Sequence, residues 1–231
     1  MFPKAIIEKI IEAGGRPYVV GGYPRDSVEA QIKGYAAQPK DGDVEVFGID
    51  AQTIMDAVRP VVAEVKIVGA QFPIIWIRTR KGEQYEIAIP RGGATTVAEG
   101  ARFRDFTMNG IAIDPEGKIV DTVGGEADIR SGTIRIIDQR YFAEGEYGDV
   151  GRVMRGMQFA ARKGMSVDRE SAKYMRTIRG RYGEIAIERI WGEWKKWAKA
   201  ERPSYGIEYM YSTGWIYNYP AIAKMIGVPQ D

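Results

Sequence analysis

The 231-residue chain contains no cysteine and no histidine. Without thiols it forms no disulfide and builds no thiolate metal site, which fits a reducing compartment such as the cytoplasm. Without imidazole, the usual zinc sites and every Ser-His or Cys-His triad are excluded. Any catalytic metal must therefore rest on oxygen ligands, which favours magnesium, with manganese as the alternative. Long apolar runs are missing too. None approaches the roughly 18–20 residues that a membrane span needs. The opening Met1-Phe2-Pro3-Lys4 leads into Glu8, Lys9 and Glu12, which is no signal-peptide pattern.

What is present is an ordinary globular composition, 45% hydrophobic and 28% charged, at a length that suits one large domain or two modest ones. The net charge of +2 conceals an asymmetry. Residues 151–231 hold 15 Lys/Arg against 8 Asp/Glu, whereas residues 1–150 hold 18 against 23. An acidic metal-binding part joined to a basic polyanion-binding part is one reading; two unequally charged surfaces without a partner is the other.

Hydrophobic spacing divides the chain in the same place. Ile6, Ile7, Ile10 and Ile11 recur at helical period and stop at Gly14-Gly15. Tyr18–Val20 reads as a buried strand, Arg25–Lys33 as a helix with Pro24 near its start, and Val44–Phe47 as a strand. A helix over Ala51–Val62, broken near Pro60, and strands at Glu64–Val68, Ile74–Arg78 and Tyr85–Ile89 complete a mixed α/β part. Beyond about residue 137 strand signals disappear. Helical periodicity covers Gly151–Lys163, Arg169–Arg179, Ala186–Ala200 and Tyr205–Ser212.

Two spots carry chemistry. Gly21-Gly22, between strand and helix, allows backbone amides to approach phosphates, and Arg25 one turn later offers a charge to the same anion. A plain turn is the other reading, since neither the G-x-G-x-x-G nor the P-loop spacing is present. Asp41 and Asp43, two apart, would share one face of a strand and could bind a common divalent metal; a solvated turn is the alternative. Glu45 extends the alternation, or is a strand residue facing solvent. Glu86, between Tyr85 and Ile87, is a third acidic candidate for the metal, or a surface residue.

The order of these and further motifs is informative. Gly21-Gly22-x-x-Arg25-Asp26, Asp41-x-Asp43, Arg104-Asp105-Phe106-Thr107-Met108-Asn109-Gly110, Gly124-Gly125-x-x-Asp128 and Arg152-Val153-Met154-Arg155 follow one another. So do Phe159-Ala160-Ala161-Arg162 with Gly164, Glu188-Arg189-Ile190 and Ile226-Gly227-Val228-Pro229-Gln230. This series resembles the class II tRNA nucleotidyltransferases (CCA-adding enzymes) and the related bacterial poly(A) polymerases over nearly the whole chain. The resemblance implies an α+β fold. A polymerase-β-like nucleotidyltransferase head, a mixed sheet with flanking helices, would occupy residues 1–137, and an all-α neck residues 138–231.

The resemblance also implies roles. Gly21, Gly22 and Arg25 would bind triphosphate; Asp41 and Asp43 would be the catalytic carboxylates on magnesium. Arg104 and Asp105 would handle the ribose, while Asp149 and Arg152, with Arg155 a turn later, would read the base edge of CTP or ATP. The implied reaction is in-line attack of an RNA 3′-hydroxyl, in tRNA or another RNA, on the nucleotide α-phosphate with release of pyrophosphate. Poly(A) polymerase and a non-catalytic nucleotide- or RNA-binding remnant are the alternatives.

Phe103, Gly148 and Gln158 depart from the family's Arg, Glu and Arg. Gly92–Phe103 is shorter than the family's flexible loop, which helps the switch to the terminal A, so a CC-adding variant is an expectation beside CCA addition. Relatives continue beyond the position of Asp231 into a body and tail or an HD domain. A separate chain supplying those parts is one expectation, beside a truncated form and a minimal enzyme. RNA contact would then rest on Lys163, Arg176, Arg179, Arg181, Lys195, Lys196 and Lys199, unless these form a solvated helix face. The aromatics between Trp191 and Tyr219 would pack between helices, be covered by the missing body, or stack on RNA bases.

Overall fold

The computed structural model describes residues 2–36, 43–69 and 73–225, so the Ile226–Gln230 resemblance lies outside the described residues. The chain divides into two compact units, Met1–Ile129 and Arg130–Asp231. No helix among the described residues is long and apolar enough to cross a membrane.

The first unit opens with α1 (Lys4–Glu12), which stops where Gly14 N and Gly15 N donate to the carbonyls of Ile11 and Ile10. Then come β1 (Arg16–Val20), α2 (Gly22–Lys33), β2 (Asp43–Phe47) and α3 (Ala51–Val58). The Asp50 carboxylate caps α3 by accepting from Thr53 N at 2.7 Å. Pro60 ends α3 in a short 3-10 turn, as its missing amide requires. The unit continues with β3 (Glu64–Val68), β4 (Ile74–Arg78), β5 (Gln84–Ala88), α4 (Val97–Ala101), β6 (Ala112–Ile113), β7 (Ile119–Val120) and α5 (Gly125–Ser131).

These strands form one seven-stranded mixed sheet in the order β3-β4-β5-β2-β1-β6-β7. β1 and β2 pair antiparallel with Val20 opposite Asp43. β2 and β5 pair parallel with Val44 opposite Ile87. One face is apolar: Val44, Val46, Ile75, Ile77 and Ile87 bury against Ile6 and Ile10 of α1 and Ile54 and Val58 of α3. The period of two sends Asp43, Glu45 and Phe47 to the opposite face.

The second unit contains β8 (Thr133–Ile134), α6 (Gln139–Phe142), α7 (Arg152–Lys163), β9 (Ser166–Val167), α8 (Arg169–Thr177), α9 (Ile187–Ala198), α10 (Pro203–Ser212) and α11 (Pro220–Met225). β8 and β9 pair parallel, Thr133 opposite Ser166. This corrects the expectation of no strand beyond about residue 137, because a two-residue strand carries no detectable period. It also ties residues 130–136, expected in the first part, to the helices that follow.

α7 is the centre of this unit: only Arg155, Arg162 and Lys163 among its residues escape burial, and α9 and α10 both pack on it. The dense aromatics mostly pack. Tyr219 Oη accepts hydrogen bonds from Tyr182 Oη and Trp194 Nε1 at 2.9 and 3.0 Å. Trp194 stacks edge-on against Trp197, and Trp215 is fully buried with its Nε1 on Met175 O. Ile187 and Trp191, a turn apart on α9, are instead 66% and 61% exposed.

α10 reaches α7 through Gly156, where an added Cβ would lie 2.1 Å from the buried Tyr209 Oη. Gly156→Ala gains about 1 kcal/mol of helix propensity but forces about 1–3 kcal/mol of overpacking. The expected outcome is a net loss of stability, read as a lower denaturant midpoint. An unchanged or higher midpoint would mean that α10 yields without cost.

Candidate active site

β1 ends because Gly21 turns the chain with φ 83° and ψ −131°, a conformation open to glycine. α2 starts at the next residue with no side chain capping its N-terminus and no acidic residue in its first turn. Its leading amides and positive dipole end are therefore available to an anion. The β1–β2 register brings Asp43 to this turn, and a Cβ on Gly21 would stand 3.0 Å from Asp43 Oδ2.

Arg25 leans back over the same turn, its Nη2 lying 3.4 Å from where a Cβ on Gly22 would be. It is only 8% exposed. Its Nε and Nη2 donate to Asp26 Oδ1, and its Nη1 donates to Asn109 Oδ1 at 2.8 Å. Asn109 Nδ2 donates in turn to Asp105 Oδ1, which also accepts from Phe106 N, both at 2.8 Å. Asp105 is 4% exposed. It braces Asn109, and through it Arg25. Asn109 lies within the Arg104–Gly110 motif, at a position whose bracing role spacing alone does not reveal.

Arg104 reaches the acidic face of β2. Its Nη2 donates to Glu45 Oε2 at 2.8 Å. Glu45 is 6% exposed, so it is a buried partner of Arg104 and not a strand residue facing solvent. Glu86 is exposed on β5. Carrying the β2–β5 register back one residue from Val44 and Ile87 sets Glu86 opposite Asp43, on the same face. Asp41 lies outside the described residues, and among those described no group of three or more acidic residues gathers as a metal site. The donor chemistry of the exposed pair Asp43 and Glu86 still fits magnesium, which binds through one or two carboxylates together with substrate phosphates.

The second Gly-Gly motif is structural. Asp121 Oδ1 accepts from the amides of Val123, Gly124 and Gly125, and its Oδ2 from Glu126 N. Asp128 Oδ2 accepts from Thr107 Oγ1 at 2.7 Å, which fixes the turn carrying Asn109.

In the second unit Asp149 precedes α7, and its carboxylate accepts from Gly151 N at 2.9 Å and Arg189 Nη2 at 2.5 Å. Arg152 is 5% exposed, and its guanidinium donates to the carbonyls of Tyr141, Phe142 and Tyr147. Asp149 and Arg152, both expected to read the base edge, therefore do not stand together on one helix face. Asp149 lies before the helix, and Arg152 clamps the segment leading into it. Arg155 is exposed on α7, 5.9 Å from the Phe159 ring. Arg189 lies in the Glu188-Arg189-Ile190 motif, and its bond to Asp149 gives that motif a contact that spacing alone does not reveal. Of the basic residues expected to meet RNA, Arg176 donates to Ser212 O, Arg181 to Glu184 and Glu144, and Lys196 to Glu193.

A family model described as the poly A polymerase head domain matches residues 17–135. The Multifunctional CCA protein of Neisseria gonorrhoeae is 31% identical over 92% of this chain and 52% of that protein. The structure of the Bacillus stearothermophilus CCA-adding enzyme in complex with CTP matches with a TM-score of 0.73 at 24% identity, over 91% of this chain and 51% of that one. The Thermotoga maritima CCA-adding enzyme complexed with tRNA matches with a TM-score of 0.71 at 22% identity, over 91% and 50%. The chain thus spans about half the length of the curated relatives it matches.

The Asp149–Arg189 pair gives a pH signature. Burial raises the Asp149 carboxyl, but the hydrogen bond and charge of Arg189, the Gly151 amide and the charge of Arg152 outweigh it and hold it below its ordinary value. A carboxyl depressed in the folded state stabilises above its unfolded pKa and loses that contribution as pH falls through the folded one. Side-chain exposures of 55% for Arg189 and 29% for Asp149 discount the pair. Arg189→Ala should therefore destabilise by roughly 0.2–1 kcal/mol at neutral pH, and by progressively less below the ordinary carboxylate value of about 4. Denaturant titrations of both proteins from neutral to acid pH check this; a pH-independent difference would detach the effect from Asp149.

Proposed function

The chain belongs to the poly A polymerase head domain family, and from that premise we propose that it is a template-independent RNA nucleotidyltransferase adding C, or C and A, to tRNA 3′ ends. The observation that carries the reading is the meeting of Gly21, the uncapped start of α2 and the Asp43 carboxylate at one end of the β1–β2 pair. Amides for phosphate beside a carboxylate for metal suit a ligand that carries phosphates together with a divalent ion, as a nucleoside triphosphate does.

The residues divide the work as follows. The amides at Gly21 and Gly22 and the guanidinium of Arg25 would receive the triphosphate. Asn109 and Asp105 would hold Arg25 against the turn, so that charge is aimed before the nucleotide arrives. Asp41 and Asp43, with Glu86 alongside, would hold magnesium, or manganese in its place. When bound, the metal supplies charge to the phosphates and lowers the pKa of the attacking hydroxyl. Arg104, steadied by Glu45, would serve the ribose side.

Asp149 would accept from the base's exocyclic amine, with Arg152 fixing the turn that presents it and Arg155 adding positive charge on the exposed side of α7. The acceptor would be the 3′-hydroxyl of tRNA or another RNA, and pyrophosphate the leaving group. The second unit would serve as the neck that reads the base. The expected location is the cytoplasm.

The test uses the 231-residue chain, labelled CTP and ATP, and tRNAs ending before CCA, after C and after CC. Short, self-limiting addition supports the proposal. Long A tails on an unrelated RNA would redirect it to poly(A) polymerase, and no magnesium-dependent incorporation on any primer would overturn it. Asp43→Asn is expected to cost about 100-fold or more in rate, the scale of several kcal/mol of metal charge stabilisation, with the melting temperature unchanged. Retained activity would remove Asp43 from the metal site.

A further inference from the structure

We propose that Arg189 and Gly151 are positioning residues that set base selectivity, by locking the Asp149 carboxylate in one orientation as a hydrogen-bond acceptor. The inference rests on the nucleotide-binding reading above and concerns groups that no motif role covers.

Both Asp149 oxygens accept a hydrogen bond from the protein. Oδ1 takes the Gly151 amide and Oδ2 takes the Arg189 guanidinium. A carboxylate has about four acceptor positions, so each oxygen retains capacity for one ligand donor. Both protein partners are donors, so the group stays ionised and accepts only. Cytosine and adenine present an amine where uracil and guanine present a carbonyl. A carboxylate held in this way accepts from the first pair and repels the second. A carboxylate released by its guanidinium could turn aside, or take up a proton and donate to a carbonyl.

The surroundings hold the guanidinium in place. Ile190, the next residue on α9, is 4% exposed and anchors the helix. Glu193, one turn further on, adds its charge to the same guanidinium and is itself fixed by Lys196 at 2.9 Å. On the other side lies Gly151, with φ −61° and ψ −14°, a conformation that any residue adopts. A side chain there would crowd the pair. A Cβ would stand 2.9 Å from Arg189 Nη2, 3.2 Å from Arg189 Cζ and 3.0 Å from Asp149 Oδ1. One methyl group at residue 151 should therefore disturb the pair while leaving both charged side chains in the protein.

The experiment measures equilibrium binding of CTP and UTP, with magnesium, to the full chain and to Arg189→Ala, Arg189→Lys and Gly151→Ala. The wild type is expected to prefer CTP. Arg189→Ala and Gly151→Ala are each expected to lower the CTP-over-UTP ratio by about 10-fold, the lower end of what a charged hydrogen bond contributes, while UTP affinity stays put. Arg189→Lys should fall between. A purely structural role would weaken both nucleotides together and leave the ratio alone. Wild-type selectivity retained in folded Arg189→Ala and Gly151→Ala overturns this inference alone. A wild type that binds neither nucleotide, or both equally, overturns the nucleotide-site reading and the inference with it. Should Arg189→Ala fail to fold, the ratios of Gly151→Ala and Arg189→Lys decide.

Discussion

The two-residue period of β2 divides one five-residue strand between two tasks. Val44 and Val46 complete the apolar core, while Asp43 and Glu45 stand on the face that carries the charged groups. Neighbouring strands hold that division in register, Val20 against Asp43 on one side and Val44 against Ile87 on the other. A slip of one residue would drive two carboxylates into a layer of isoleucine and valine and expose the valines. The burial of that apolar layer by α1 and α3 therefore also fixes the position of Asp43 beside the Gly21 turn.

Around this strand the polar groups form braces in series. Asp105 holds Asn109 and Asn109 holds Arg25, while Thr107 between them is tied to Asp128. Each member is buried, so each bond also satisfies a group whose desolvation would otherwise be costly. The second unit repeats the logic with different chemistry. Arg152 satisfies three backbone carbonyls ahead of α7, and Arg189 satisfies Asp149. Asp105, Asn109 and Arg152 are nearly out of reach of solvent, whereas Arg189 holds Asp149 from an exposed position.

Much of the fold was legible because its signals are long enough to have a period. α1 with its glycine stop, β2, β3 and β4 appear in the structure where their apolar spacing placed them. The pairs β6–β7 and β8–β9 went unread, since two residues cannot show alternation. The expected helix after Pro24 begins earlier, at Gly22, because a proline is tolerated within the first turn. Among site residues, spacing suggested which side chains matter but not which ones solvent reaches. Glu45, Asp105 and Arg152 proved buried, because the elements that cover them come from distant parts of the chain. Asp149 finds its partner Arg189 forty positions away, a distance that local pattern cannot span.

The aromatic packing of the second unit has an optical consequence. Of the chain's five tryptophans, Trp76 lies in the sheet of the first unit, while Trp191, Trp194, Trp197 and Trp215 lie in the second. Trp215 is sealed from solvent and Trp191 is largely open to it, so the second unit holds both a blue-emitting and a red-emitting indole. Intrinsic fluorescence of this protein is therefore chiefly a report on its helices, and collisional quenchers would reach Trp191 well before Trp215.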